Sequence, residues 1–197
     1  MKVYCATGNP GKLREFQLAA RHFGLMDIEL EIMPGLSEIQ APAETGSTFE
    51  ENAILKAAYY SRLTDELVFA DDSGLVVDAL HGAPGVYSAR YAGEGAGDKA
   101  NNRLLIANMR GMTNRSCRFV CSIALARRGE LAGTFRGVVA GELLEGERGD
   151  GGFGYDPLFY YPPLGCTLAQ VDEARKMEVS HRGKALAGLF RFLASLK

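Results

Sequence analysis

Two adjacent carboxylates, Asp71 and Asp72, are the side chains of this sequence best suited to chemistry. They follow the apolar residues 67–70, which are typical of a short buried strand, and precede Ser73 and Gly74, which favour a turn. Because an unpartnered buried carboxylate is costly, such a pair is usually exposed in a cleft or bound to a cation. By itself, the stretch fits either a solvated turn or a divalent-cation site.

Residues 7–12 form a second candidate site, between a predicted strand and a predicted helix. Asn9 suits the helix N-cap and Pro10 the first helical position. Lys12 in the first turn opposes the helix dipole, which favours an anion there. The conflict disappears if free backbone N–H groups, Lys12 and the Thr7 hydroxyl together hold a phosphate. The alternative is a plain turn with a solvated lysine.

A polar stripe lies on the helix that is predicted to begin near Thr48, where Thr48 and Glu51 form a capping box. Asn52, Lys56 and Tyr60 stand four residues apart and share one helical face. The stripe is either solvated or faces a cleft, where Lys56 would reach a phosphate.

A second helix start, at residues 180–184, is also basic. Its cations His181, Arg182 and Lys184 meet the same unfavourable helix dipole. Lys176 lies just before them, on a polar helix predicted for residues 168–178. These residues add positive charge to any anion site nearby.

The glycine-rich residues 151–157 surround two aromatic side chains, Phe153 and Tyr155. Glycines let the backbone approach a flat ligand closely, and Phe153 could stack on such a ligand. The alternative is a tight turn that carries core aromatics.

The elements that must position these residues alternate between strands and helices in the first half of the chain. The clearest strand, at residues 117–126, turns at residues 128–130 into a second strand at 135–139, which predicts a hairpin. The order of elements predicts an α/β fold with a mixed sheet, in a single domain spanning residues 1–197. A weak division into lobes falls near residues 142–150.

Composition excludes several classes of protein. With a net charge of −2 over 197 residues, no generally basic surface suggests nucleic acid, and no apolar run has membrane-spanning length. The cysteines Cys5, Cys117, Cys121 and Cys166 form no C-x-x-C pair, so we expect free thiols in a reducing cytoplasm. Three histidines without metal-ligand spacing argue against a histidine metal centre.

Together, the basic helix starts, Lys56, Lys176 and the acidic pair suit a metal-bound polyphosphate. Lysines neutralise phosphate oxygens, carboxylates hold Mg²⁺, and one carboxylate can orient a water. A stacking aromatic suits a nucleobase. The residues therefore predict a Mg²⁺-dependent enzyme that acts on a nucleotide.

The sequence also resembles the inosine triphosphate pyrophosphatase family across residues 2–195. Seven motifs in order carry the resemblance, at residues 6–12, 44–46, 48–57, 70–75, 82–91, 152–157 and 180–183. The resemblance implies hydrolysis of ITP, dITP and XTP to the monophosphate and pyrophosphate. It also implies Mg²⁺ as cofactor and a cytoplasmic homodimer of elongated α/β subunits, each with a cleft between two lobes.

The resemblance assigns roles to individual residues. Asp72 would accept a proton from the attacking water and hold Mg²⁺, with Glu44 and Asp71 as further metal residues. The residues that would bind substrate are Thr7, Gly8, Asn9, Pro10, Gly11, Lys12, Lys56, Ser73, Phe153, Gly154, Tyr155, Asp156, Lys176, His181 and Arg182. Two rival hypotheses are a nucleotide pyrophosphatase of other specificity and a non-catalytic nucleotide sensor. The intact acidic pair argues against the sensor, because binding alone needs no positioned base.

Overall fold

A single mixed sheet forms the centre of the molecule. The structure is a computed structural model that describes residues 1–23 and 28–196. Its strands are β1 (Lys2–Cys5), β2 (Glu29–Ile32), β3 (Leu67–Val77), β4 (Ser116–Arg127), β5 (Glu130–Leu143), β6 (Phe159–Tyr161) and β7 (Cys166–Thr167). They lie in the order β2-β1-β3-β4-β5-β6-β7, and only the β1–β2 and β1–β3 pairs are parallel. The predicted α/β fold with a mixed sheet is therefore confirmed.

Helices cover both faces of this sheet. They are α1 (Pro10–His22), α2 (Phe49–Tyr60), α3 (Asp98–Asn108), α4 (Glu173–Val179) and α5 (His181–Ser195). Successive side chains of a strand point to opposite faces. Phe69 of β3 thus packs in a core with side chains of α1 and α5, whereas Val68 and Ala70 pack in a core with α2.

β3 connects two parts of the molecule. Its first residues belong to the cores beneath α1, α5 and α2. Leu75 and Val77 belong instead to a separate core, with Leu105 of α3 and Phe159 of β6. The acidic pair lies on β3 between these cores, which matches the expected cleft between two lobes.

Three local predictions need correction. The acidic pair does not end a strand, because β3 continues to Val77. Residues 168–178 form no single helix: a 3₁₀ turn ends at Gln170, and Asp172 caps the separate α4 through its bond from Arg175 N. β5 is much longer than the predicted residues 135–139 because it pairs with β4 along its length.

The expectation of free thiols holds. All four cysteines are free thiols, and Cys5, Cys117 and Cys121 are buried. Within residues 1–23 and 28–196, no helix is both long and apolar enough to cross a membrane.

Candidate active site

The cleft opens where one edge of β3 loses its neighbour. β1 pairs with β3 as far as Cys5 and Phe69, and Ala6 N then donates to Phe69 O at 2.9 Å. Further along the same edge, Leu75 N donates to Ser88 Oγ at 2.9 Å. Residues 71–74 lie between these two bonds, beside a cleft of about 350 Å³. A ligand at this open edge can reach side chains on both faces of β3.

Asp71 and Asp72 point to these opposite faces. Asp72 faces α2, where Asn52 Nδ2 donates to its Oδ2 at 3.1 Å and Lys56 Nζ lies 3.4 Å from its Oδ1. Asp71 faces α1 and α5, and its Oδ2 lies 2.8 Å from Lys12 Nζ. The two neighbouring carboxylates therefore have separate cationic partners.

Their surroundings shift the two pKa values in opposite directions. Burial raises the pKa of the Asp72 carboxyl, and although Lys56 and Lys12 oppose this, the net shift is upward, helped by Glu44. Burial acts on Asp71 in the same direction, but Lys12 and Arg182 outweigh it and hold the pKa of Asp71 below its usual value. Asp72 is thus the better proton acceptor and Asp71 the more firmly ionised carboxylate.

The polar stripe of α2 faces the cleft, so the solvated alternative is wrong. Thr48 and Glu51 form the expected capping box and orient the helix. Lys56 Nζ lies 2.7 Å from Glu44 Oε1, and Glu44 Oε2 lies 3.3 Å from Arg90 Nη1. Asn52 is fully buried and also accepts from Gly46 N at 2.8 Å. This helix therefore carries both the amide that bonds to Asp72 and a lysine that lies between Glu44 and Asp72.

The start of α1 differs in part from the prediction. Asn9 is the N-cap, but its Oδ1 accepts from Gly11 N at 2.9 Å and Lys12 N at 3.1 Å, so these N–H groups are not free. Lys12 is not solvated either, since it pairs with Asp71. The Pro10 side chain lies outside the described part of the structure. Gly11 does not line the cleft, and the Phe153 ring covers it so closely that a Cβ there would lie 2.7 Å from Cδ1. The positive charge at this end of the cleft is therefore that of the Lys12 side chain.

A buried ionic network joins α1, α4 and α5. Lys176 Nζ lies 2.7 Å from Glu15 Oε1 and 2.6 Å from Asp156 Oδ2. Arg182 also pairs with Glu15, and its Nη2 donates to Ser73 Oγ at 2.8 Å. Sequence reasoning missed Glu15. Its signal is a carboxylate directly beside Phe16 on the buried face of an amphipathic helix.

Phe153 lies against the two cations of this network. Its ring centroid is 5.0 Å from Lys176 Nζ and 5.5 Å from Arg182 Cζ. Asp156 Oδ2 accepts from Phe153 N at 2.9 Å. Burial raises the pKa of Asp156, and the charge of Glu15 adds to this effect, whereas Lys176 opposes it. The glycine-rich segment is therefore a wall of the cleft.

Two buried nitrogen atoms in the cleft lining have no hydrogen-bond partner within the part of the chain that the structure describes, namely His181 Nδ1 and Arg182 Nε. The His181 ring stacks on Phe119, with centroids 4.7 Å apart and planes at 13°. Burial, together with Arg182 and Lys176, lowers the pKa of His181 well below its ordinary value, so the ring is neutral. Unpaired buried nitrogens are costly, which favours a polar ligand beside them.

The structure brings most of the predicted site residues together. The predicted residues that line the cleft are Thr7, Gly8, Asn9, Lys12, Glu44, Lys56, Asp71, Asp72, Ser73, Phe153, Gly154, Tyr155, Asp156, Lys176, His181 and Arg182. The lining also holds residues that sequence reasoning did not assign, among them Ser88, Asp98, Asn101 and Phe119. Only Phe119 had a local signal, as an inward-facing residue of the alternating strand β4.

The residues fit a divalent cation only in part. In the described chain, no three His, Cys, Asp or Glu side chains converge on one point. Glu44 and Asp72 do share one cation, the Lys56 ammonium, at 2.7 and 3.4 Å. Mg²⁺ typically takes one or two protein carboxylates and completes its shell with phosphate and water. This pair suits such a site, whereas Asp71 pairs with Lys12.

The fold and the cleft define an α/β protein with a charged cleft at an open sheet edge. The lining contains the carboxylates Glu44, Asp71, Asp72, Asp98 and Asp156 and the cations Lys12, Lys56, Arg90, Lys176 and Arg182, which is five of each. Such a site suits a polyanion that arrives with a cation.

Comparison with known proteins identifies the family. The model of the Ham1 family matches residues 3–192, and the chain belongs to this family. The dITP/XTP pyrophosphatase of Acidobacterium capsulatum is 49% identical over 195 residues, covering 94% of this chain and 95% of that protein. The dITP/XTP pyrophosphatase of Exiguobacterium sp. is 47% identical over 189 residues, covering 96% and 95%.

Solved structures agree with this assignment. The Ham1 protein of Staphylococcus aureus matches with a TM-score of 0.87 at 40% identity, covering 100% of both chains. The nucleoside-triphosphatase, dITP/XTP pyrophosphatase, of Mycobacterium abscessus matches with a TM-score of 0.76 at 37% identity, covering 98% and 100%. The resemblance inferred from the sequence motifs is confirmed.

Proposed function

We propose that this protein hydrolyses the non-standard purine nucleoside triphosphates dITP, ITP and XTP to the nucleoside monophosphate and pyrophosphate. The observation that carries the proposal is the environment of Asp72, a carboxylate of raised pKa held between Asn52 and Lys56 at the open edge of β3. Relatives named dITP/XTP pyrophosphatase, at 47–49% identity over nearly the whole chain, support the same activity.

In this mechanism Asp72 accepts a proton from a water that attacks the α-phosphorus. The water oxygen bonds to the α-phosphorus, the bond to the bridging oxygen breaks, and pyrophosphate leaves. Asn52 holds one oxygen of Asp72, and the other oxygen lies 3.4 Å from Lys56 Nζ. Lys12 and Lys56 neutralise the charge that develops on the phosphoryl oxygens and the leaving group.

Glu44 and Asp72 would hold Mg²⁺, which would neutralise phosphate charge when bound. Lys56 now occupies the position between these carboxylates. Asp71 supports the site from the opposite face by keeping Lys12 in place.

Selectivity against adenine follows from the nitrogen-rich end of the cleft. Hypoxanthine and xanthine carry a 6-oxo acceptor, which suits the donors Lys176 and Arg182 and the unpartnered nitrogen of His181. Adenine presents a 6-amino donor, which supplies no acceptor for His181 Nδ1 and Arg182 Nε and is therefore strongly rejected. Phe153 supplies the stacking surface for the base.

A product-resolved assay across purine triphosphates, with and without Mg²⁺, tests the proposal. We expect pyrophosphate release from dITP and XTP to be much faster than from dATP or dGTP, and only with Mg²⁺. Orthophosphate as the first product would contradict the reaction, and equal rates on all purines would contradict the specificity. Tight ITP binding without hydrolysis would favour the sensor hypothesis.

The homodimer and the cytoplasmic location that the resemblance implies belong to this proposal as well. Light scattering on the purified protein measures the oligomeric state, and a monomer at micromolar concentration would contradict the dimer.

A further inference from the structure

The first turn of α3 bonds to the glycine-rich segment that carries Phe153. Asp98 and Asn102 stand four residues apart and therefore lie on the same face of α3. Asp98 Oδ2 accepts from Gly154 N at 2.7 Å, and Asn102 Nδ2 donates to Gly154 O at 3.2 Å. Both backbone polar groups of Gly154 are thus bonded to side chains of a single helical turn.

The orientation of the Asn102 amide is determined by its partners. Its Nδ2 also donates to Glu147 Oε1 at 2.7 Å, so both neighbours of this atom are acceptors. A flipped amide would place its oxygen against a carboxylate and a carbonyl. Asn102 is buried, and its Oδ1 has no hydrogen-bond partner in the described chain. Holding the amide in this orientation therefore costs the free energy of one unsatisfied buried acceptor.

The same turn also bonds to residues 89–92, which follow Ser88 in a second segment of the cleft lining. Asn101 accepts from Ala92 N at 2.8 Å and donates to Ala89 O at 3.1 Å. The residue before Ala89, Ser88, bonds to the edge of β3 through Leu75 N and accepts from the Tyr155 hydroxyl at 2.8 Å. The start of α3 therefore joins residues 85–92 to residues 153–156.

We propose that Asp98 and Asn102 are positioning residues for recognition of the purine base. They hold the Gly154 peptide, which has a positive φ of 62° and directly follows Phe153. With this peptide fixed, the Phe153 ring keeps its place beside Lys176 and Arg182. The inference rests on the proposed function, because it concerns how that site selects its substrate.

Substitutions at Asp98 separate positioning from general stability. Asp98→Ala removes the acceptor for Gly154 N, and we expect KM for dITP to rise about threefold to tenfold, the usual worth of one hydrogen bond. We expect kcat to change by less than about twofold, because the base contacts are equally present in the ground and transition states. Asp98→Asn keeps an acceptor oxygen and should restore KM to near the wild-type value.

Asn102→Asp is a nearly isosteric test of the second bond. It replaces the donor with an oxygen that faces Glu147 and Gly154 O, so KM should rise and the preference for dITP over dATP should fall. Arg103→Ala is the matched control, since Arg103 is exposed and bonds to Lys99 O of its own helix. Its kinetics should equal those of the wild type.

The outcomes distinguish this inference from the proposed function. A wild-type protein that releases no pyrophosphate from dITP contradicts the function itself. An active wild type with unchanged KM in Asp98→Ala contradicts the positioning role. An equal rise of KM in Asp98→Asn and Asp98→Ala would also contradict it, as would a fall of kcat at constant KM. The thermal unfolding midpoint of each variant shows whether the variant is folded at the temperature of the kinetic assay.

Discussion

Asp71 and Asp72 are neighbours in sequence but serve different parts of the site. The alternation of side chains along β3 directs Asp72 to Asn52 and Asp71 to Lys12. Burial and Glu44 raise the pKa of Asp72, whereas cations overcome the effect of burial at Asp71 and lower its pKa. One carboxylate is thereby suited to accept a proton and the other to hold a lysine.

The substitution Asp72→Asn should abolish most turnover without unfolding the protein. The amide keeps the size of the side chain but cannot accept the proton, so kcat should fall about 10²- to 10⁴-fold, the typical worth of a general base. Single-turnover kinetics and the midpoint of urea unfolding are the measurements. A fully active Asn variant would refute Asp72 as the base, and Asp71→Asn is the comparison that tests the assignment within the pair.

A second prediction concerns the contribution of Glu15 to the free energy of unfolding. Glu15→Gln leaves Lys176 and Arg182 without a shared counter-charge in a buried site, and breaking such a pair costs about 3–5 kcal/mol of unfolding free energy. The pKa of Glu15 lies below its usual value because Arg182 and Lys176 outweigh the opposing effect of burial. Its contribution is therefore complete above the ordinary glutamate pKa and is lost as pH falls through the lowered value.

Urea unfolding at neutral and at acidic pH tests whether the stabilisation from Glu15 is lost as the pH falls. The difference between wild type and Glu15→Gln should be large at neutral pH and should shrink in acid, where Glu15 is protonated. Glu173→Gln is the control, because its pair with Arg14 is exposed and is worth about 0–1 kcal/mol. A difference independent of pH would contradict the ionic explanation.

β3 is the element on which the cleft is built. Because β1 stops at Cys5, β3 has an open edge beside the acidic pair, and the 3₁₀ segment Gly85–Arg90 closes that edge further along. The segment approaches β3 closely at Gly74, where a Cβ would lie 2.2 Å from Ser88 Oγ and 2.7 Å from Gly85 O. A glycine is needed here for contact between elements and not for a turn.

Gly74→Ala should therefore destabilise the protein by about 1–3 kcal/mol, the usual cost of an added methyl group in a well-packed site. The free energy of urea unfolding measures the loss. Gly146→Ala is the matched control, since a Cβ there meets no atom within 4 Å. Equal stability of the two variants would show that the Gly85–Arg90 segment moves aside without cost.

The whole molecule combines three hydrophobic cores around a cleft whose charges balance internally. Lys12 pairs with Asp71, and Lys56 pairs with Glu44 and Asp72. A triphosphate that takes these lysines leaves the carboxylates unpaired, which is costly at such buried positions. Binding of the polyanion should therefore require a cation that takes the place of Lys56 between the carboxylates.

Thermal unfolding with a dITP analogue, in which a methylene group bridges the α- and β-phosphorus, tests this coupling. With Mg²⁺ and the analogue at about 100 times its Kd, we expect the midpoint to rise by about 5–10 °C. Mg²⁺ alone, or the analogue with a chelator, should raise it much less. An equal rise without Mg²⁺ would contradict the coupling.

The sequence by itself determined the local features of this protein. Hydrophobic alternation predicted the β4–β5 hairpin, and the caps Asn9 and Thr48 were correct because a cap bonds to N–H groups two or three residues away. The motifs were sufficient to identify the family and most of the residues that line the cleft.

Only the tertiary structure decided how these parts face one another. The continuation of β3 past Asp72 depends on pairing with β4, some fifty residues later in the chain. The partners of Glu15 lie near the other end of the chain, and the bonds of Asp98 and Asn102 cross to Gly154. Such contacts join segments that are distant in sequence, so local propensity and periodicity contain no information about which residues they bring together.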